Sequence, residues 1–77
     1  MNNTRRKRLT DIQDRFRDLM SDLESIRDEE DEAYTNMPES LQLSDKGDDM
    51  AEAIDNMDEA ISLIEDIISY IDDAKGE

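Results

Sequence analysis

The stretch "NMPESLQLSDKG", residues 36–47, interrupts a sequence that otherwise has the spacing of long helices. Pro38 is the only proline of the chain. Proline disfavours the helical conformation in the residue before it, so a first helix should end near Met37. Ser44 is a good N-cap for a second helix. The sequence thus predicts one helical hairpin domain, residues 1–77, with helices over about 4–36 and 44–74 and a turn over about 37–43.

Apolar residues upstream of this stretch recur at alternating steps of three and four, the spacing of a heptad seam on one helix face. The pattern skips one step at Glu30, where the seam carries a charge. Asn3 or Thr4 is expected to cap the start of this helix. The members of this first ladder are Leu9, Ile12, Phe16, Leu19, Leu23, Ile26, Ala33 and Met37.

A second apolar ladder follows the turn with the same alternation of steps. A parallel row of alanine and isoleucine lies one position before it, at steps of seven. The combined stripe is wider than a two-stranded seam and is typical of a helix bundle. The second ladder comprises Met50, Ile54, Met57, Ile61, Ile64, Ile68 and Ile71, and the parallel row comprises Ala53, Ala60, Ile67 and Ala74.

Two helices of similar length joined by a short connection are expected to be antiparallel neighbours. Two helices alone cannot cover two wide apolar stripes, so we predict an all-α fold in which two antiparallel hairpins form a homodimeric four-helix bundle. Larger homo-oligomers, or a helix supplied by a partner protein, are alternatives. The predicted oligomer core consists of Phe16, Leu19, Leu23, Ile26, Ile54, Met57, Ile61, Ile64 and Ile68.

The connection has side chains suited to a capped turn. Asn36 is placed to close the first helix, and Ser40 or Ser44 to open the second. Leu41 and Leu43 are expected to cover the open end of the core, because a solvated linker would not need them. The alternative is a recognition tip at the end of the bundle, since loops often carry binding residues.

The composition excludes much chemistry. The chain has no cysteine and no histidine, which removes thiolate chemistry and the usual imidazole base or metal ligand. The acidic run "DEEDE", residues 28–32, would point its side chains in different directions on a helix, whereas a calcium loop gathers them. We therefore expect no catalytic residue, no cofactor and no metal site, and hence no enzyme.

Membrane and export signals are not found in the sequence. No segment approaches the roughly 18–20 apolar residues of a membrane helix. The basic N-terminus is not followed by the apolar segment of a secretory signal. We expect a cytoplasmic location in a bacterial host cell and no membrane partner.

The charge is unevenly distributed along the chain. Residues 1–27 hold seven Lys/Arg and five Asp/Glu, whereas residues 28–77 hold two and eighteen. Such an acidic segment repels nucleic acid directly and favours a protein partner with a basic surface, which it would engage by imitating DNA. Solubility or adaptation to high salt is the simpler explanation. The predicted partner-binding acidic face comprises Asp48, Asp49, Glu52, Asp55, Asp58 and Glu59.

One segment has the form A-Y-x-N-[ML]-P-E-S-L-Q-x-S-x-x-G, carried by Ala33, Tyr34, Asn36, Met37, Pro38, Glu39, Ser40, Leu41, Gln42, Ser44 and Gly47. With its flanks, residues 29–61, it resembles small uncharacterised acidic proteins of phages and mobile elements of Gram-positive bacteria. The resemblance implies that genomic setting and a helical hairpin, without an activity. Small acidic phage proteins include inhibitors of host defence, some of which imitate DNA. The leading hypothesis is therefore an accessory protein that inhibits a basic nucleic-acid-binding host protein, and the alternative is a self-assembling phage scaffold.

Overall fold

The computed structural model describes residues 1–76 and contains three helices: α1 (Asn3–Thr35), α2 (Glu39–Gln42) and α3 (Asp45–Lys75). The two long helices pack against each other and run antiparallel. Arg6, near the start of α1, accordingly lies beside the end of α3, where it donates to the carbonyl of Lys75 (2.9 Å). The chain is a rod of 58 × 15 × 12 Å, two helices thick. The predicted all-α fold is confirmed, since no strand forms within the described residues.

The N-caps of the long helices are made by short polar side chains. Asn2, which has an extended backbone, caps α1 by accepting from the Arg5 N–H (2.8 Å), so the expectation of a cap at Asn3 or Thr4 was wrong by one residue or more. Asn36 is the C-cap of α1. Ser44 caps α3 by accepting from the backbone N–H of Gly47 (3.4 Å). The side chains of Asn2 and Ser44 each satisfy an N–H that the helix itself leaves without a partner, whereas Asn36 closes α1 through its backbone N–H, which donates to the carbonyl of Glu32 (3.0 Å).

The segment between the long helices contains one further helical turn, α2, where the sequence predicted only a connection. Leu41 and Leu43 are exposed, at 47% and 78%, so the expectation that they cover the core was wrong. Gln42 turns inward instead. Its Nε2 donates to the carbonyls of Tyr34 (2.9 Å), at the end of α1, and of Met37 (3.2 Å), just beyond it, and so ties α2 to the end of α1.

Gly47 allows the turn to approach α3 closely. It is buried in the first turn of α3, directly against the backbone of α2. A Cβ at this position would overlap the Gln42 carbonyl and lie 2.6 Å from the carbonyl oxygen of Leu41. Because backbone atoms surround the site, no side chain can move aside, and only glycine fits.

We predict that Gly47→Ala lowers the free energy of unfolding by about 1–3 kcal/mol through overpacking, although alanine is the better helix former. Gly76→Ala is the matched control, because a Cβ there would lie 3.5 Å from its nearest neighbour, an ordinary contact. Urea unfolding followed by circular dichroism measures both variants. Equal midpoints for Gly47→Ala and wild type would contradict the close approach.

Candidate interaction surfaces

Two rows of α1 residues form the seam with α3, and the first of these rows is apolar. Leu9, Phe16 and Leu23 of α1 are half-buried, at steps of seven. On α3, the apolar residues of the second ladder are also half-buried, apart from Ile61. Ile61, at 8% exposure, is the one buried large apolar residue in the described part of the chain. The predicted core residues that lie in this seam are Phe16, Leu23, Ile54, Met57, Ile61, Ile64 and Ile68.

A second row of α1 completes the seam and was missed by the sequence analysis. It consists of Arg6, Gln13, Met20, Arg27 and Tyr34, at steps of seven, all buried or half-buried. Four of its five members are polar, and the apolar ladder predicted from the sequence includes none of them. The signal that could have found the row is its strict seven-residue spacing, three residues before each of Leu9, Phe16, Leu23, Glu30 and Met37.

Gln13 is the most buried residue of the described chain, with 0% exposure. Its Nε2 donates to the carbonyl of Ile68 (2.9 Å) and to Oδ1 of Asp72 (2.7 Å), and its Oε1 accepts from Nζ of Lys75 (2.6 Å). Lys75 also donates to the hydroxyl of Thr10 (3.1 Å). Every polar atom of the buried amide is therefore paired with α3, which offsets the cost of burying it.

Gln13 also sets the protonation of its neighbour. Its hydrogen bond is the main cause that lowers the pKa of the Asp72 carboxyl below the ordinary 3.8. Desolvation opposes it, and the charge of Lys75 lowers the pKa further. A hydrogen bond to the ionised form of a carboxyl favours that form. Gln13 and Lys75 therefore keep the Asp72 carboxyl ionised to a lower pH than an isolated aspartate.

Arg27 makes the equivalent link nearer the turn. Its Nη1 lies 2.5 Å from Oδ1 of Asp58 on α3, and its Nε lies 2.9 Å from Oδ1 of Asp28. The hydrogen bond that Arg27 donates to Asp58 is the main cause that raises the pKa of the guanidinium above its ordinary value. Asp58, one of the six residues predicted to bind a partner, is thus already paired within the hairpin.

These links rotate α1 so that part of its apolar ladder faces away from α3. Leu19 and Ile26, both predicted core residues, are 58% and 54% exposed. On α3, Leu63, Ile67 and Tyr70 are also exposed, at 52%, 38% and 74%.

Both sets of exposed apolar residues lie on the same side of the hairpin. In each helix, every exposed apolar residue comes one position before a seam residue, so it lies on the same flank of its helix. When two helices pack antiparallel, these corresponding flanks of α1 and α3 lie on one side of the hairpin. We call this surface the apolar face; its members are Ile12, Leu19, Ile26, Leu63, Ile67 and Tyr70. Two shallow depressions lie along its α1 half, and Arg5, Arg8 and Arg15 line their edges.

The predicted acidic residues divide into groups on α3. Asp48, Glu52, Asp55 and Glu59 are exposed and spaced by four, three and four residues, which places them on the side of α3 opposite α1. We call these four the acidic strip. Asp49 lies at its border with the apolar face, and Asp58 at its border with α1.

The density of carboxylates around the acidic strip is close to that of a DNA strand. Residues 48–59 span about 16 Å of helix at 1.5 Å per residue. With Asp49 and Asp58 the segment carries six carboxylates, or one per about 3 Å, and one strand of duplex DNA carries one phosphate per about 3.4 Å. The helix holds these charges in a fixed spacing.

No protein-family model, curated protein or solved structure matches the chain. Among residues 1–76, no group of three or more acidic side chains is placed to hold a metal ion. Within the same residues, no helix has the length and apolar composition needed to cross a membrane.

We predict that Gln13→Leu raises the pKa of the Asp72 carboxyl toward 3.8, because the variant removes the main bond that favours the ionised form. A ¹³C NMR titration of the aspartate carboxyls measures it, with Ser25→Ala, at an exposed position of α1, as the control. In wild type, the stabilisation from ionised Asp72 is complete above the unfolded pKa and is lost as the pH falls through the lower folded value. An Asp72 titration identical in Gln13→Leu and wild type would contradict this assignment.

Proposed function

We propose that the protein is a non-enzymatic binding protein whose acidic strip occupies the nucleic-acid-binding surface of a basic host protein. The observation that carries the proposal is the row of four exposed carboxylates, spaced by four, three and four residues, on the side of α3 opposite α1. The resemblance to small acidic proteins of phages and mobile elements favours an accessory, anti-defence role in a Gram-positive host.

The distribution of charge supports a partner rather than general solubility. Residues 21–62, the half of the hairpin that contains the turn, hold fifteen acidic and two basic residues. The remaining described residues hold seven of each. A charge that served solubility alone would not need to collect in one half. A concentrated negative potential accelerates association with a basic surface and weakens as salt is added.

A charge-neutral variant of the acidic strip tests the proposal. Wild-type protein captures its partner from a Gram-positive lysate at low salt, and the purified partner is then bound to labelled duplex DNA. We expect the protein to displace the DNA. The variant with Asp48→Asn, Glu52→Gln, Asp55→Asn and Glu59→Gln should compete at least about tenfold less well, equivalent to about 1.4 kcal/mol.

The control for this experiment carries the same change of net charge elsewhere. Four exposed carboxylates of α1 are suitable: Asp11, Asp14, Asp18 and Glu32, replaced by Asn or Gln. Competition lost equally in both variants would assign the effect to net charge alone. Competition retained by the variant of the acidic strip would overturn the proposal.

A second candidate function, self-assembly into a four-helix bundle, is favoured by the apolar face. Patches of several neighbouring exposed apolar residues mark association sites. A single hairpin also buries little apolar surface for its length, since Ile61 is the one buried large apolar residue of the described chain. A second hairpin on the apolar face would supply the missing core, in the form of a homodimer.

We predict that Leu19→Ser with Leu63→Ser dissociates the homodimer, because each removes an apolar side chain that the single hairpin leaves more than half exposed. Leu43→Ser is the matched control, since Leu43 is even more exposed and lies in the turn, away from the apolar face. Light scattering coupled to gel filtration gives the mass. A monomeric wild type would contradict self-assembly, as would a double variant of unchanged mass.

A further inference from the structure

The α1 half of the apolar face is symmetric about its own midpoint. On α1, Ile12 and Ile26 lie seven residues on either side of Leu19. On α3, a row of small and apolar residues at steps of seven flanks the apolar face and is centred beside Leu63, while Ile67 and Tyr70 of the face follow that level. The row comprises Ala53, Ala60, Ile67 and Ala74.

The two midpoints lie at the same height of the hairpin. Gln13 bonds to the carbonyl of Ile68, which fixes the level of one helix against the other. Leu19 follows Gln13 by six residues, and Leu63 precedes Ile68 by five. Because the helices run in opposite directions, both leucines lie the same distance from that bond, to within one residue. One axis across the hairpin therefore passes through both midpoints.

Charges at the edge of the apolar face have opposite signs on the two sides of the level of Leu19. Arg8, Arg15, Asp22 and Glu29 are exposed and lie at steps of seven along the α1 border of the face. The row is basic before the level of Leu19 and acidic after it. A second α1 running in the opposite direction would place Arg8 near Glu29 of the other chain, and Arg15 near its Asp22.

The distribution of charge along the rod favours the same direction. Two hairpins side by side in the same direction would bring together two turn-containing halves, each with fifteen acidic and two basic residues. Reversing one hairpin places each of these halves against a half with seven of each sign. Repulsion between like charges is then reduced where the hairpins touch.

We propose that a second copy of this chain covers the apolar face in the reversed direction, related by a two-fold axis that crosses both helices at the level of Leu19 and Leu63. The inference rests on the self-association proposed above and adds its direction. Each α1 packs on the α1 of the other copy, and each α3 on the other α3. The two turns then lie at opposite ends of the bundle.

This direction has a consequence for the acidic strip. Both α3 helices lie on one edge of the bundle, about 8–10 Å apart as packed helices are. The two acidic strips face outward from that edge and run antiparallel to each other. The α1 edge is held by opposite charges, whereas the α3 edge repels itself, so a basic partner that binds along the α3 edge relieves the repulsion.

Distances between spin labels test the direction. The chain has no cysteine, so Thr4→Cys and Asp18→Cys each place a single nitroxide on the exposed outer side of α1. In the reversed dimer, labels at position 4 lie about 45 Å apart along the axis, and labels at position 18 within about 5 Å, at a rise of 1.5 Å per residue. In the alternative with both hairpins in one direction, neither pair is separated along the axis.

Pulsed EPR on the labelled dimer, with the mass measured on the same samples, gives the result. A distance at position 4 that exceeds the distance at position 18 by more than about 15 Å supports the reversed dimer, given the axial separations above. Equal distances in a dimer would overturn the direction and leave self-association intact. A monomeric mass in both samples would overturn the self-association itself. Neither result bears on the acidic strip of the single chain.

Discussion

The buried amide of Gln13 fixes how α1 is rotated against α3. Its donor and acceptor atoms are paired with Ile68, Asp72 and Lys75, and any other rotation would leave a buried polar group without partners. Arg27 and Asp58 repeat the constraint two heptads further along α1. Two polar links thus determine which residues of α1 face α3, and the apolar residues pack in the seam that results.

The rotation divides the apolar residues of α1 between two surfaces. Leu9, Phe16 and Leu23 face the seam, while Leu19 and Ile26 are left on the outside. A seam built from the apolar ladder alone would have buried both sets against α3 and left the apolar face without its α1 half. The hairpin instead keeps an apolar face for another surface, and an acidic strip on a different side of α3.

The two surfaces suit different kinds of contact. Burial of the apolar face is driven by the hydrophobic effect and resists salt, whereas attraction to the acidic strip weakens as ionic strength rises. Since they lie on different sides of α3, a bundle formed through one leaves the other exposed. The proposed self-association and the proposed binding of a basic protein are therefore compatible in one assembly.

The sequence by itself determined the helices and the break between them, because apolar spacing, Pro38 and the Ser44 cap act locally. It also located the acidic residues, since charge is read directly from composition. Only the tertiary structure decided which side of α1 faces α3, because the choice depends on polar partners distant in sequence, such as Gln13 and Asp72. For the same reason it alone showed Leu19 on the outside and Gly47 pressed against the α2 backbone.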